Sequence, residues 1–258
     1  MQAALSFAFI DNAIGKFDKS MLSHQTLMEL FIFGFDSVEL ICGSRDDPWE
    51  LSRWKGVACN SEGDVELFIW EHYRSKGSVE LQFLPSSMQV LRMEGNSLSG
   101  TLDLANMPEQ MQRLSLNWNN LTGSIDLTGL PMCLQELVIS SNGFTGSVSL
   151  TQLPNRLQNL DLNANRLSGP ICLTSLPPGL RYINLSSNRF DGSVDLTRLP
   201  KSLREVFLLE NDFSGTIDCN HLPDDISTIY VSHNCFGGTV RVPSGLKKTV
   251  EGLVVEHV

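Results

Sequence analysis

The chain has 258 residues and a formal net charge of −10, from 29 acidic against 19 basic side chains. An excess of that sign opposes general binding to nucleic acid or to an anionic membrane surface. Its most apolar run, Leu27–Phe35, is broken by Glu29 and Gly34 and falls far short of the ~20 apolar residues of a membrane helix.

In chain order, the first 45 residues carry apolar side chains at mixed spacing: Leu5, Phe9, Ile10, Ile14 and Phe17, then Leu22, Leu27, Met28 and Phe31. They predict one or two short helices that cover the open edge of the first repeat downstream. No basic residue precedes the apolar Ala3–Ile10 stretch and no small-residue cleavage site succeeds it, so no signal peptide is read there. Residues 1–63 are therefore expected to form a partly helical capping segment, 64–245 a repeat array, and 246–258 a closing strand.

The array is defined by Asn96, Asn119, Asn142, Asn165, Asn188, Asn211 and Asn234, each 23 residues from the next. A Leu-Pro or Met-Pro pair recurs in the same register, from Leu84-Pro85 and Met107-Pro108 to Leu222-Pro223. The unit reads L-P-x-x-L-x-x-L-x-L-x-x-N-x-[LF]-x-G-x-[ILV]-x-L. There are seven clear copies and one degenerate copy, in which Phe68 and Trp70 take the strand columns and Tyr73 replaces Asn. Self-similarity at a fixed period of this length means a solenoid whose units bury their apolar faces only against neighbours.

Each column has a physical task. The alternating pairs Leu91/Met93, Leu114/Leu116, Leu137/Ile139, Leu160/Leu162, Ile183/Leu185, Val206/Leu208 and Ile229/Val231 predict a short strand with one buried face per unit. Stacked in parallel, the strands form a ribbon of roughly 40 Å at ~4.8 Å per unit. The asparagine amide both donates and accepts, so a column of them can satisfy backbone groups buried by the turn. The glycine column, Gly100 to Gly238, suits positive φ or close approach. After it, Thr101-Leu102-Asp103-Leu104 and its equivalents alternate again, predicting a second strand there. The proline that comes next leaves an irregular or 3₁₀ return.

This frame is identified as the leucine-rich repeat. The expected fold is an α/β solenoid, a horseshoe or arc with a parallel concave sheet, short convex strands and 3₁₀ or irregular return segments. The run Trp54-Lys55-Gly56-Val57-Ala58-Cys59 resembles the W-x-G-V-x-C segment in the N-terminal cap of plant-type extracellular members, and the N-x-L-[ST]-G-x-[IL] stretch resembles their repeats. The unit is one residue shorter than the usual plant form and reads I-D-L after the glycine, closer to repeat proteins predicted in flagellate protists. The resemblance implies a binding module.

A stacked ribbon exposes the x positions of L-x-x-L-x-L-x-x-N on one face. Trp118 is large where small or polar residues are usual, and Phe207, Leu209 and Tyr230 are apolar on adjacent strands with Tyr182 and Glu210 beside them. Apolar clusters rimmed by polar groups are the mark of protein contact sites. These six residues are the candidate partner-binding set, unless the C-terminal segment folds over Phe207 and Tyr230. A protein or peptide partner is expected, with no nucleic acid and no membrane insertion; a receptor-like or cell-surface ectodomain fragment is the alternative. The five histidines pair with no cysteine, serine or carboxylate in a catalytic motif, so no enzyme, no cofactor and no metal site is expected.

Six cysteines fit no metal spacing. Cys219 takes a buried column, and Cys133, Cys172 and Cys235 take variable ones. Cys42 and Cys59 flank the cap and could pair in an oxidising compartment, with reduced thiols and the cytoplasm favoured. Glu80, Asp103, Asp126, Asp195 and Asp218 share a column that reads as a solvated acidic face rather than a cation stripe.

Overall fold

The computed structural model describes residues 19–219 and 221–237, and the backbone alone of 239–242, 249–251 and 254–257. The apolar positions Leu5 to Phe17, and Leu246 and Leu253 at the far end, lie outside these residues.

Each 23-residue unit is one coil of a stack. Its strand is three residues long with the central side chain buried, as in Glu136–Val138, Asn159–Asp161 and Tyr182–Asn184. Pairing is parallel and in register with the repeat: Leu137 opposes Leu160, then Ile183, Val206 and Ile229 continue the row. Ten described strands join this sheet. Val57–Cys59 closes one edge antiparallel to Val65–Ile69, and Thr249–Glu251 extends the other beyond Thr228–Tyr230. Val254–His257 stays outside it and pairs in parallel with Thr239–Val242.

The second sheet sits earlier in each unit than the alternation at Thr101–Leu104 suggested. Its strands run Ser97–Gly100, Asn120–Ser124, Gly143–Gly146 and onward, so they start beside the asparagine and end at or just past the glycine. Gly100, Gly123, Gly146, Gly169, Gly192 and Gly215 hold φ between 76° and 94°, which breaks the extended path. Leu102 and Leu104 are buried nonetheless, carried inward by an open arc. In that arc Asp103, Asp126 and Asp195 accept the N–H two residues on, at 3.1, 2.8 and 2.8 Å. The acidic column therefore caps turns, and hydrogen bonds from Thr128 and Thr197 hold Asp126 and Asp195 below the usual carboxylate range.

The asparagines form the ladder that their spacing implied. Nδ2 of Asn165 donates to the carbonyls of Ile139 and Leu162, both at 3.1 Å, and its Oδ1 accepts the Phe144 N–H at 3.1 Å. The same bonds recur around Asn119, Asn142, Asn188 and Asn211. Inside the ladder, Leu98, Leu121, Phe144, Leu167, Phe190 and Phe213 form one fully buried column. Beyond each Leu-Pro pair a tight turn returns the chain, with Leu134 N–H donating to the Pro131 carbonyl at 2.9 Å and Leu180 to Pro177 at 3.1 Å.

The first coil is closed by the helix His24–Phe33, whose start is capped by Ser23 Oγ accepting from Thr26 N–H at 3.1 Å. Leu27, Met28, Leu30, Phe31 and Ile32 are its buried residues, and the Phe31 ring meets Phe68 edge-on at 6.0 Å. Gly77 makes this docking possible: at φ 120° it approaches the Gly34 carbonyl so closely that a Cβ would stand 2.0 Å from the oxygen. Tyr73 does not act as an asparagine. It stacks on Trp70 at 3.8 Å, while Trp70 Nε1 donates to Ser75 Oγ at 2.8 Å. No described helix is long and apolar enough to cross a membrane.

Candidate functional site

The side chains flanking each buried strand residue point away from the core and make one continuous face. Phe207 and Tyr230 are register partners on it, with ring centroids 5.3 Å apart. Tyr182 starts one row over, but its ring leans to within 5.4 Å of Phe207, and its hydroxyl lies 3.1 Å from Asn184 Nδ2. The three rings form a half-exposed plate across three coils. Leu209 is half-buried beside it, and Glu210 is exposed and accepts from Ser187 Oγ at 2.7 Å. The described C-terminal backbone continues the sheet past Tyr230, with Glu251 as its register partner.

Trp118 belongs elsewhere. It is 66 % exposed and stands three coils before Tyr182, roughly 14 Å along the stack. The turn before each asparagine explains its exposure. Trp118, Ser141, Ala164, Ser187, Glu210 and His233 all have φ between 51° and 58°, which turns their side chains outward. A bulky residue in that conformation is uncommon.

Two polar groups next to the plate carry no sequence signal beyond their column. Asp161 is the one carboxylate in the row Arg92, Ser115, Val138, Asp161, Asn184, Phe207, Tyr230. Burial pushes its carboxyl above the ordinary range, against the hydrogen bonds from Asn163 N–H and the Ser140 hydroxyl. Ser186, only 4 % exposed, has an Oγ with no hydrogen-bond partner. Burial also raises the Tyr182 hydroxyl, with the Asp161 charge adding to it.

A carboxyl whose folded pKa lies above its unfolded value binds its proton more tightly when native. Its contribution to stability is then complete below the unfolded pKa and lost as pH rises through the folded one. Asp161→Asn is therefore expected to raise the melting temperature near neutral pH and leave it unchanged in acid below the carboxylate range. Melting curves at the two pH values check this, and equal shifts at both would contradict it.

The outward positions along the second sheet and just past its strands are mostly short: Ser99, Thr122, Thr145 and Ser214 in one exposed column, interrupted by Asp191, and Thr101, Ser124, Ser147, Ser193 and Thr216 in the next, interrupted by Pro170. The six cysteines are unbonded; Cys42 is buried with its Sγ 3.4 Å from the Val38 and Ser44 carbonyls, and Cys59 is exposed. Among the described residues no group of histidines, cysteines and carboxylates could hold a metal ion.

These coils are the leucine-rich repeat fold. Among solved structures the chain is similar to a plant ice-binding protein, at 18 % identity and a TM-score of 0.51, covering 85 % of this chain and 88 % of that one. It is also similar to a pollen receptor kinase 3, at 22 % identity and a TM-score of 0.49 over 84 % and 94 %. The ectodomain of the Arabidopsis receptor kinase HAESA, solved with a peptide hormone, aligns at 18 % identity and a TM-score of 0.41 over 91 % and 53 %. No protein-family model and no curated protein matches the sequence.

Proposed function

We propose that the chain is a non-catalytic binding scaffold that takes a protein or peptide on its main sheet, at the face bearing Tyr182, Phe207, Leu209, Glu210 and Tyr230. The observation that carries this is the aromatic plate, held half-exposed on a face whose other positions are mostly polar. Rigid aromatic side chains give large contact area at low entropic cost, which is why they dominate binding hot spots. Trp118 is a second, separate contact point.

The test is proximity labelling in the source cell with the intact protein and a Phe207→Ala, Tyr230→Ala double variant. A partner set lost from the variant, with its melting transition intact, is the expected result. Identical sets would remove the plate from the site and move attention to Trp118. The labelled set also decides between an intracellular scaffold and a receptor-like ectodomain, for which the cap sequence Trp54–Cys59 speaks.

A second reading attaches to the other sheet, where paired columns of small hydroxyl side chains repeat over most coils. Such a regular array suits ordered water, and one structural neighbour is an ice-binding protein. Thermal hysteresis and ice-crystal shaping by the purified chain would support it; ordinary freezing would dispose of it.

A further inference from the structure

The aromatic plate ends at a polar corner that lacks a counter-charge. Asp161 sits beside Asn184 and Val138 in register, accepts from Asn163 N–H at 3.0 Å, and forms none of the ion pairs among the described residues. Its bonds to Asn163 and Ser140 draw the carboxyl along the strand toward the row Ser140, Asn163, Ser186. On the next coil of that row, the nearly inaccessible Ser186 Oγ has no partner. A half-buried carboxylate without a cation, and a buried hydroxyl without a hydrogen bond, both cost free energy that the fold alone gives no reason to bear.

The charges around the corner have one dominant sign. Glu136 and Glu205 lie on the same face, on the strands Glu136–Val138 and Glu205–Phe207. Of the basic residues nearby, Arg113 is the register partner of Glu136 two coils before Asp161, whereas Arg181 and Arg204 stand just before the strands on the rim, and Arg204 is 3.5 Å from Asp225.

Resting on the peptide-binding reading, we infer that the partner presents a cationic side chain, lysyl or arginyl, to Asp161 while a nearby apolar residue covers Phe207 and Tyr230. An ammonium or guanidinium brings several donors and no acceptor. It would therefore neutralise Asp161, with the Asn184 and Tyr182 oxygens as further acceptors. Asp161 and Phe207 are two strands apart, about 9–10 Å, which is the reach of about three residues of extended chain. The partner segment accordingly carries its basic and apolar residues about three positions apart.

The experiment is selection from a positional library of N-acetylated decapeptides, using the full chain, Asp161→Asn, Asp161→Glu and the Phe207→Ala, Tyr230→Ala variant. The full chain is expected to enrich lysine or arginine about three positions from an apolar residue. Asp161→Asn should lose the basic preference by roughly tenfold or more yet keep the apolar one, and Asp161→Glu should keep both. Selection of apolar residues with no basic preference, or a basic preference undiminished in Asp161→Asn, overturns the inference and leaves the plate as a binding site. Failure of the full chain to enrich any peptide overturns the inference and the peptide-binding reading together. Enrichment that survives loss of the plate overturns the placement of both.

Discussion

Truncating Phe213 to alanine is expected to lower the unfolding free energy by about 3–5 kcal/mol. The ring is fully buried and stacks on Phe190 at 6.1 Å and on Phe236 at 6.2 Å, nearly parallel to both. Its removal leaves a void between two coils that the asparagine ladder prevents from closing, so lost contacts and an unrelaxed cavity add. Phe213→Leu, which keeps most of the volume and matches Leu98, Leu121 and Leu167 in the same column, should cost under about 1.5 kcal/mol. Urea unfolding of the two variants measures the contrast. Equal losses would mean that shape, rather than volume, governs this column.

Asn165→Ala is expected to cost about 1–3 kcal/mol. The variant strands the Phe144 N–H and removes a donor from the Ile139 and Leu162 carbonyls. Water reaches these groups poorly inside a packed stack, so most of the desolvation penalty is felt. Asn165→Asp is the sharper comparison: it keeps an acceptor for Phe144 but aims a carboxylate at carbonyl oxygens, and should be the worse of the two at neutral pH. An unchanged melting temperature in Asn165→Ala would contradict the ladder's role in stability.

The columns were legible because the period repeats the same physical requirement at every coil. Asn119 announces its environment through six other copies of itself. What one unit does alone is harder to read. Thr101-Leu102-Asp103-Leu104 looks extended because alternate residues are buried, yet a left-handed glycine and an aspartate cap produce the same burial in an arc. The face of Phe207, Leu209 and Tyr230 could be assigned from register, but the lean of Tyr182 onto Phe207 depends on side-chain torsions. Asp161 and Ser186 were invisible as special positions. Their columns also hold Ser115, Asn117 and Asn184, and only the neighbours in the folded stack bury Ser186 and half-bury Asp161.

The ladder also has a direction. Each of its asparagines from Asn119 to Asn234 reaches a carbonyl 26 residues earlier and an N–H 21 residues earlier, so it serves the coil before its own. Within the ladder, each coil is thus served by its successor. A chain emerging from the ribosome N-terminus first would lock one turn behind the growing end, like a zip whose slider trails the newest tooth. Along the ladder, shortening the array from the C-terminal side bares the amide and carbonyl of the last remaining coil, whereas shortening it from the other side bares an asparagine side chain, together with main-sheet amides such as Gln135 N–H that donate to the preceding coil.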